Sequence, residues 1–323
     1  MTAKYMIRMC LCVVLFLSAF PILSMAKQPS LRAKAGAYYF EGWTGKTFHL
    51  TERLKNEFFD REPVWGWNDD SRRIMEKQIK YAADNGLSFF AFDWYYPEEE
   101  NKETPLNNGL EHYLRARSRK RMEFCLLVAN HAGFRIGPKE WDIVSEKWIE
   151  LFKQPTHLKV NGKPLLIFFA PNELYKAFGG PEGVKQAFDS LRSRAVEAGL
   201  PGVMIAACTV PGPDDNRDIL TGLEASGYDL LTGYNYHGHP ARPGAPNLRP
   251  FAEMVEGHIG VYDRFAAKAK LPYIPVITVG WDKRPWEEYG LPEESQSVYY
   301  PDTTPHHRQL SHHPPGGPLD RPL

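Results

Sequence analysis

The chain has 323 residues, equal numbers of acidic and basic side chains, and an aromatic share of 13%. Zero net charge leaves no basic excess to neutralise phosphates, which excludes nucleic acid and an anionic membrane surface as partners. The length suits one large domain, and an α/β barrel of about 250 residues fits it.

Residues 1–26 read as a secretory signal. Lys4 and Arg8 form a positive start, Met9 to Leu23 is an apolar run, and Ser24-Met25-Ala26 offers small residues for cleavage. An uncleaved N-terminal anchor is the alternative, but the run is short for a bilayer. Cys10 and Cys12 would leave with this segment, and neither follows a site suited to a lipid anchor. Cys125 and Cys208 each sit inside an apolar run, which suits buried thiols better than a disulfide framework.

From Lys27 onward strand patterns alternate with helix patterns. The first strand is expected over 35–40. Asp70 and Ser71 can cap a helix over 72–85, in which Ile74, Met75, Ile79 and Ala82 share a face and Gly86 is the stop. The near-continuous apolar run 87–95 reads as a strand buried on both faces. A helix over 106–119 then leads to a strand over 122–129. Residues 141–152 read as a helix and 165–170 as a strand. A proline opens the helix 181–198, which precedes the strand 203–210. A weaker helix over 217–225 leads to the strand 228–236, and a helix over 251–269 to the last strand, 273–279.

Seven such alternations with short links imply parallel strands, because each crossover must return over the sheet face. An open doubly wound sheet is the rival architecture. No glycine-rich phosphate loop follows the first strand, so the barrel is preferred. The expected fold is α/β, a (β/α)8 TIM-type barrel missing its eighth strand.

A parallel barrel carries its site at the C-terminal strand ends. Glu41 and Trp43 follow the first strand; Asp93, Trp94 and Tyr95 close the second. Asn130 and His131 follow the third, and Asn172 with Glu173 the fourth. The sixth ends in Tyr234, Asn235, Tyr236 and His237, and the seventh in Trp281, Asp282 and Arg284. Flat rings cover the apolar face of a pyranose, and paired carboxyls are what sugar hydrolysis needs. Glu41, Asp93, Glu173 and Asp282 are therefore the candidate acids and the remaining rim residues candidate sugar contacts. Asp93, set among aromatics, suits binding or orienting hydroxyls better than proton transfer, and Asp282 with Arg284 reads equally as a structural ion pair. His237 and His239 are a faint two-ligand metal signal, and no His-Glu-x-x-His, paired-cysteine or Gly-x-Ser-x-Gly pattern occurs. No metal site is expected.

One series of segments resembles a known family. Tyr38-Tyr39-Phe40-Glu41-Gly42-Trp43, Trp67-Asn68-Asp69, Gln78-Ile79, Phe89 to Tyr95, Leu127 to Asn130 and Gly280 to Pro285 together resemble the glycoside hydrolase family 99-like group, which includes WbsX-type proteins labelled as glycosyltransferases. The resemblance implies a (β/α)8 barrel over most of 35–305, action on polysaccharide or glycan, and no cofactor. Members of family 99 itself are endo-acting mannosidases using two glutamates near the C-terminal end of the barrel. Two departures stand out. His131 occupies a place where many relatives carry a glutamate. After Tyr300 to Pro305 relatives continue into a helix and an eighth strand, whereas here a His- and Pro-rich stretch over 306–323 follows, which reads as truncated or out-of-frame sequence.

The expected organisation is thus a signal at 1–26, a barrel at 27–305 and a tail at 306–323. The expected protein is a monomeric, secreted or periplasmic glycoside hydrolase-like barrel without a stable membrane anchor, impaired by the missing strand. A glycan-binding barrel without catalysis is the alternative. Glycosyl transfer, which the family label suggests, would need a sugar-nucleotide donor that a periplasm lacks.

Overall fold

The computed structural model describes residues 33–98, 104–212, 218–237 and 247–286. The expected signal at 1–26 and the tail at 306–323 lie outside the described residues. The chain divides after Lys34, and every described helix and strand belongs to the unit that begins at Ala35.

The elements run in the expected alternation. Strand β1 (Ala35–Tyr39) is followed by helices α1 (Glu52–Glu57) and α2 (Arg72–Asp84), then β2 (Leu87–Trp94), α3 (Asn108–Arg115) and β3 (Glu123–Val128). Helix α4 (Trp141–Phe152) precedes a short β4 (Lys159–Val160) and β5 (Lys163–Phe168). Helices α5 (Pro171–Phe178) and α6 (Pro181–Glu197), β6 (Met204–Cys208), α7 (Asp218–Ala225), β7 (Leu230–Thr232) and α8 (Phe251–Lys268) complete the order. Local signals account for several boundaries. The Ser71 side chain accepts from the Ile74 amide and caps α2. Proline opens α5 and α6, and Gly179, in the left-handed conformation, ends α5.

The strands pair in the order β1-β2-β3-β5-β6-β7, every pair on that path parallel, with β4 antiparallel on β5. This is a partial (β/α)8 barrel. Side-chain alternation sorts it into two layers. Phe90, Phe92, Phe124, Leu126, Phe168 and Ile205 point to the helices and pack with Trp141, Trp148 and Phe188. Ala91, Cys125, Leu127, Ile167, Ala206 and Cys208 point inward. Burying a ring such as Phe92, 1% exposed, contributes roughly 1.5–3 kcal/mol. Both cysteines are free and buried, as their apolar runs imply.

The seventh strand departs from expectation. Over 273–279 the chain makes one bridge to β7, Leu231 with Tyr273, in place of an extended ladder. Pro272 and Pro275 lack the amide protons a ladder needs. Side chains replace it: Thr232 Oγ1 donates to the Ile274 carbonyl at 3.1 Å, and Thr278 Oγ1 accepts from the Tyr236 amide at 3.0 Å. β7 is also shorter than the expected 228–236.

Among the described residues no helix is long and apolar enough to cross a membrane.

Candidate functional site

The period of β2 turns Asp93 inward, next to Ala91, close to the strand's C-terminal end. Asp93 is 5% exposed. Tyr234, just past β7, donates its phenol proton to Oδ2 at 2.9 Å, while Oδ1 has no partner. Burial pushes the carboxyl up to about 8, against the opposing hydrogen bond from Tyr234. Among the described residues no cationic side chain acts on it. Asp93 is therefore a neutral acid at pH 7, able to give a proton or a hydrogen bond.

Tyr234 and Tyr95, the two aromatic side chains that act on this acid, are joined by a chain of ring contacts. Tyr234 packs on Tyr38 (centroids 5.0 Å apart) and on Phe169 (5.3 Å). His131 meets Phe169 at 5.8 Å and Phe134 at 5.6 Å, and Phe134 meets Tyr95 at 4.8 Å. Tyr95 is held in place by Asn107, whose side chain bonds both its amide and its carbonyl. Burial first, and then the Asp93 charge, raise the Tyr95 phenol far above its ordinary range. Of the expected rim residues, Tyr234 bonds Asp93 and Tyr95 is close enough to feel its charge, while His131 packs against Tyr95, Phe134 and Phe169. Phe134 and Phe169 are not legible in the sequence as site residues, because neither belongs to a polar strand-end cluster.

Glu41 lies elsewhere. It lies two residues after Tyr39, which packs on Phe90 and Phe92 in the helix-facing layer, and both side chains reach toward Gly109 of α3. Glu41 is 2% and Asp69 7% exposed, and neither Glu41 oxygen nor Asp69 Oδ1 has a conventional donor. Burial, and then the neighbouring Asp69 carboxylate, hold the Glu41 proton in place well above the usual carboxyl range. The Asp69 carboxyl is raised too, burial being the main cause. One proton shared between the two carboxyls gives each of them one partner and removes the repulsion of two buried charges. Gln78 links the pair outward, accepting from the Tyr39 phenol at 2.7 Å and donating to Asp69 at 3.4 Å. Asp70 next door is occupied by His112 (2.7 Å), Asn108 and Lys46 (3.0 Å each). Asp69 as an acid was not anticipated, although the Asn68-Asp69-Asp70 run marks the place.

The other two candidate acids are neutralised by ion pairs. Glu173 sits in the first turn of α5, where its carboxylate meets Lys176 at 2.6 Å and Arg135 at 3.1 Å, which hold its pKa down. Burial pulls the Asp282 carboxyl up, but Arg284 and Arg61, each 2.5 Å from Oδ2, outweigh it and leave it below the ordinary range. Both guanidinium groups also lie over the Phe58 ring, at 4.5 Å for Arg61 and 5.5 Å for Arg284. Of the two readings of Asp282 and Arg284, the geometry matches the ion pair.

Three expected sugar contacts are structural instead. Trp94 faces the helices, 6% exposed, with Trp148 against it, because it alternates with Asp93 along β2. Asn130 is 1% exposed and both its side-chain groups bond the Ala170 backbone. Tyr236 is buried with its phenol on that of Tyr273 at 2.8 Å. At the rim, Trp43 packs on Trp286 and His49, and His237 stacks on Trp281 at 3.8 Å with 16° between the planes. Asn235 is half-buried beside them.

A cleft of about 490 Å³ opens among Lys46, Phe48, His49, Glu98, Leu106 and Phe134. Phe48, 77% exposed, lies on the His49 ring at 4.0 Å. Among the described residues no cluster of His, Cys, Asp or Glu could hold a metal ion.

No protein-family model matches the chain, and no curated protein matches it by sequence. Solved structures do. The GH99 endo-alpha-mannosidase from Bacteroides thetaiotaomicron aligns with TM-score 0.50 and 13% identity over 69% of this chain and 59% of that one. This chain therefore spans under two thirds of that enzyme's solved length. The same enzyme in complex with bis-tris-propane aligns with TM-score 0.52 and 14% identity, covering 78% of this chain and 72% of the other. A glycoside hydrolase-like protein gives TM-score 0.56 and 14% identity, covering 86% and 78%. In architecture the chain is a partial (β/α)8 barrel with the fold of the glycoside hydrolase family 99 structures.

Proposed function

We propose that this protein is an exported, monomeric glycoside hydrolase-like barrel that acts on polysaccharide or glycan at the inner rim around Asp93. The observation that carries the reading is the buried Asp93 carboxyl at the C-terminal end of β2, with Tyr234 on one oxygen and no partner among the described residues on the other; burial without a cation favours its protonated form. A protonated carboxyl at neutral pH is what a glycosidic leaving oxygen requires of a general acid. The fold shared with endo-alpha-mannosidase structures supports the same reading, and the pattern of residues 1–26 supports export.

Hydrolysis also needs a second carboxylate across the sugar. Glu173 and Asp282 are ion-paired and Glu41 lies in the helix-facing layer, which favours a second reading, glycan binding without cleavage. Incubation of the full chain with a polysaccharide panel separates the two. New reducing ends, lost in Asp93→Asn, support the hydrolase; retention of a polysaccharide without product supports the binder. Neither retention nor product from any glycan removes both.

A further inference from the structure

Asp93, like the Glu41–Asp69 pair and unlike Asp70, Glu173 and Asp282, has no positive partner among the described residues, and unlike that pair it has no second carboxyl with which to share a proton. Asp70 has Lys46 and His112, Glu173 has Arg135 and Lys176, and Asp282 has Arg61 and Arg284. Asp93 has the Tyr234 phenol on one oxygen and, among the described residues, no partner on the other. A carboxyl buried without a cation stays neutral, at the cost of the pairing energy an ion would supply.

The surroundings of Asp93 are also of a particular kind. Tyr95, Phe134, His131, Phe169 and Tyr234 form a continuous chain of rings, neighbours 4.8–5.8 Å apart between centroids. Aromatic faces carry negative potential and attract cations, most strongly where water is excluded. A ring cluster with one unpaired carboxyl inside it matches a small organic cation that also has apolar surface. A neutral sugar would use the rings but leave the carboxyl uncharged. A protonated amino sugar would use both: its ammonium pairs with the carboxylate while its ring C–H face lies on the aromatics. His131, Phe169 and Tyr234 are half-buried, so entry requires these rim rings to part.

Resting on the glycan-binding reading, in which Asp93 holds the sugar and does not act as the acid of a hydrolysis, we infer that the sugar seated at Asp93 is an amino sugar with a free ammonium group. The proton balance is simple. Asp93 enters the complex protonated, the ligand enters as an ammonium, and the carboxyl proton leaves to the buffer as the ion pair forms.

The test is calorimetric titration of the full chain at about pH 5.5, where the sugar amines and Asp93 both start protonated, with three oligosaccharides of equal length: β-1,4-linked glucosamine, its N-acetylated form, and the corresponding glucose oligomer. Expected are binding of the free amine at least about tenfold tighter than of either neutral form, and a binding heat that changes with buffer ionisation enthalpy because a proton is released. In Asp93→Asn the amine preference should vanish while any binding of the neutral forms persists. Should that variant fail to fold, by circular dichroism, the proton release of the wild-type chain decides alone. Equal affinity for all three overturns the ammonium assignment and leaves the glycan reading standing. Amine binding without proton release also overturns it. Binding of none overturns both.

Discussion

Tyr38 of β1 donates its phenol proton to the carbonyl of Gly233, the residue after β7, at 2.6 Å. The two ends of the strand order are thereby linked across the barrel interior by a side chain, where among the described residues no backbone ladder joins them. The same phenol lies 3.4 Å from Thr232 Oγ1, and its ring packs on Tyr234. Tyr38→Phe keeps the ring and removes only the bond, leaving the Gly233 carbonyl with just a long contact from Thr232 Oγ1 at 3.5 Å. The expected loss is about 1–3 kcal/mol, read as a lower urea midpoint at unchanged slope.

Asp93 makes stability depend on pH with an unusual sign. Its folded pKa of about 8 lies above the ordinary 3.8. Between those values the folded form keeps a proton that the unfolded chain has lost, so stability falls as pH rises and levels off above about 8. Asp93→Asn should reduce that decline by roughly 1 kcal/mol per pH unit. Denaturant midpoints of both proteins across this range check it, and parallel curves would refute the buried neutral acid.

Much of this architecture is legible in the residues, because a strand buried on both faces must be apolar throughout and a helix must be capped. Helix α4 is read at both ends, and α2 is bounded by Ser71 and the turn at Gly86. What is not legible is direction. Asp93 and Trp94 look like one polar-aromatic cluster in the sequence, yet adjacent residues of a strand point to opposite faces, so one enters the barrel and the other the core. Helix α5 is hidden by the Asn172-Glu173 pair, which resembles a strand-end motif, although Pro171 and Gly179 bracket a helix. The Glu41–Asp69 pairing depends on how the loop after β1 folds back, with the Asp69 amide donating to the Trp43 carbonyl at 3.2 Å, and no periodicity encodes that.

Gly109 tests the buried carboxyl pair. A Cβ there would lie 2.3 Å from Glu41 Oε2 and 2.7 Å from the Tyr39 ring. Both neighbours are enclosed, so Gly109→Ala has to displace α3 or the pair. Helix propensity alone would favour alanine by about 1 kcal/mol. The expected outcome is the reverse, a net loss of about 1–3 kcal/mol through overpacking, measured by chemical denaturation. A stabilised variant would show that Glu41 does not press against α3.

Asn130 offers the clearest separation of a structural from a ligand-binding role. Its amide donates to the Ala170 carbonyl at 2.8 Å and its carbonyl accepts from the Ala170 amide at 3.0 Å, joining the ends of β3 and β5. Asn130→Asp keeps the acceptor, removes the donor and places a carboxylate beside a buried carbonyl. Asn130→Ala strands both Ala170 groups. Each should cost about 2–4 kcal/mol, and the aspartate variant should regain stability as pH falls and its carboxyl takes up a proton to donate again. Glycan affinity per folded molecule should stay within about twofold of wild type in Asn130→Ala. A stable variant with lost affinity would move Asn130 from scaffold to ligand contact.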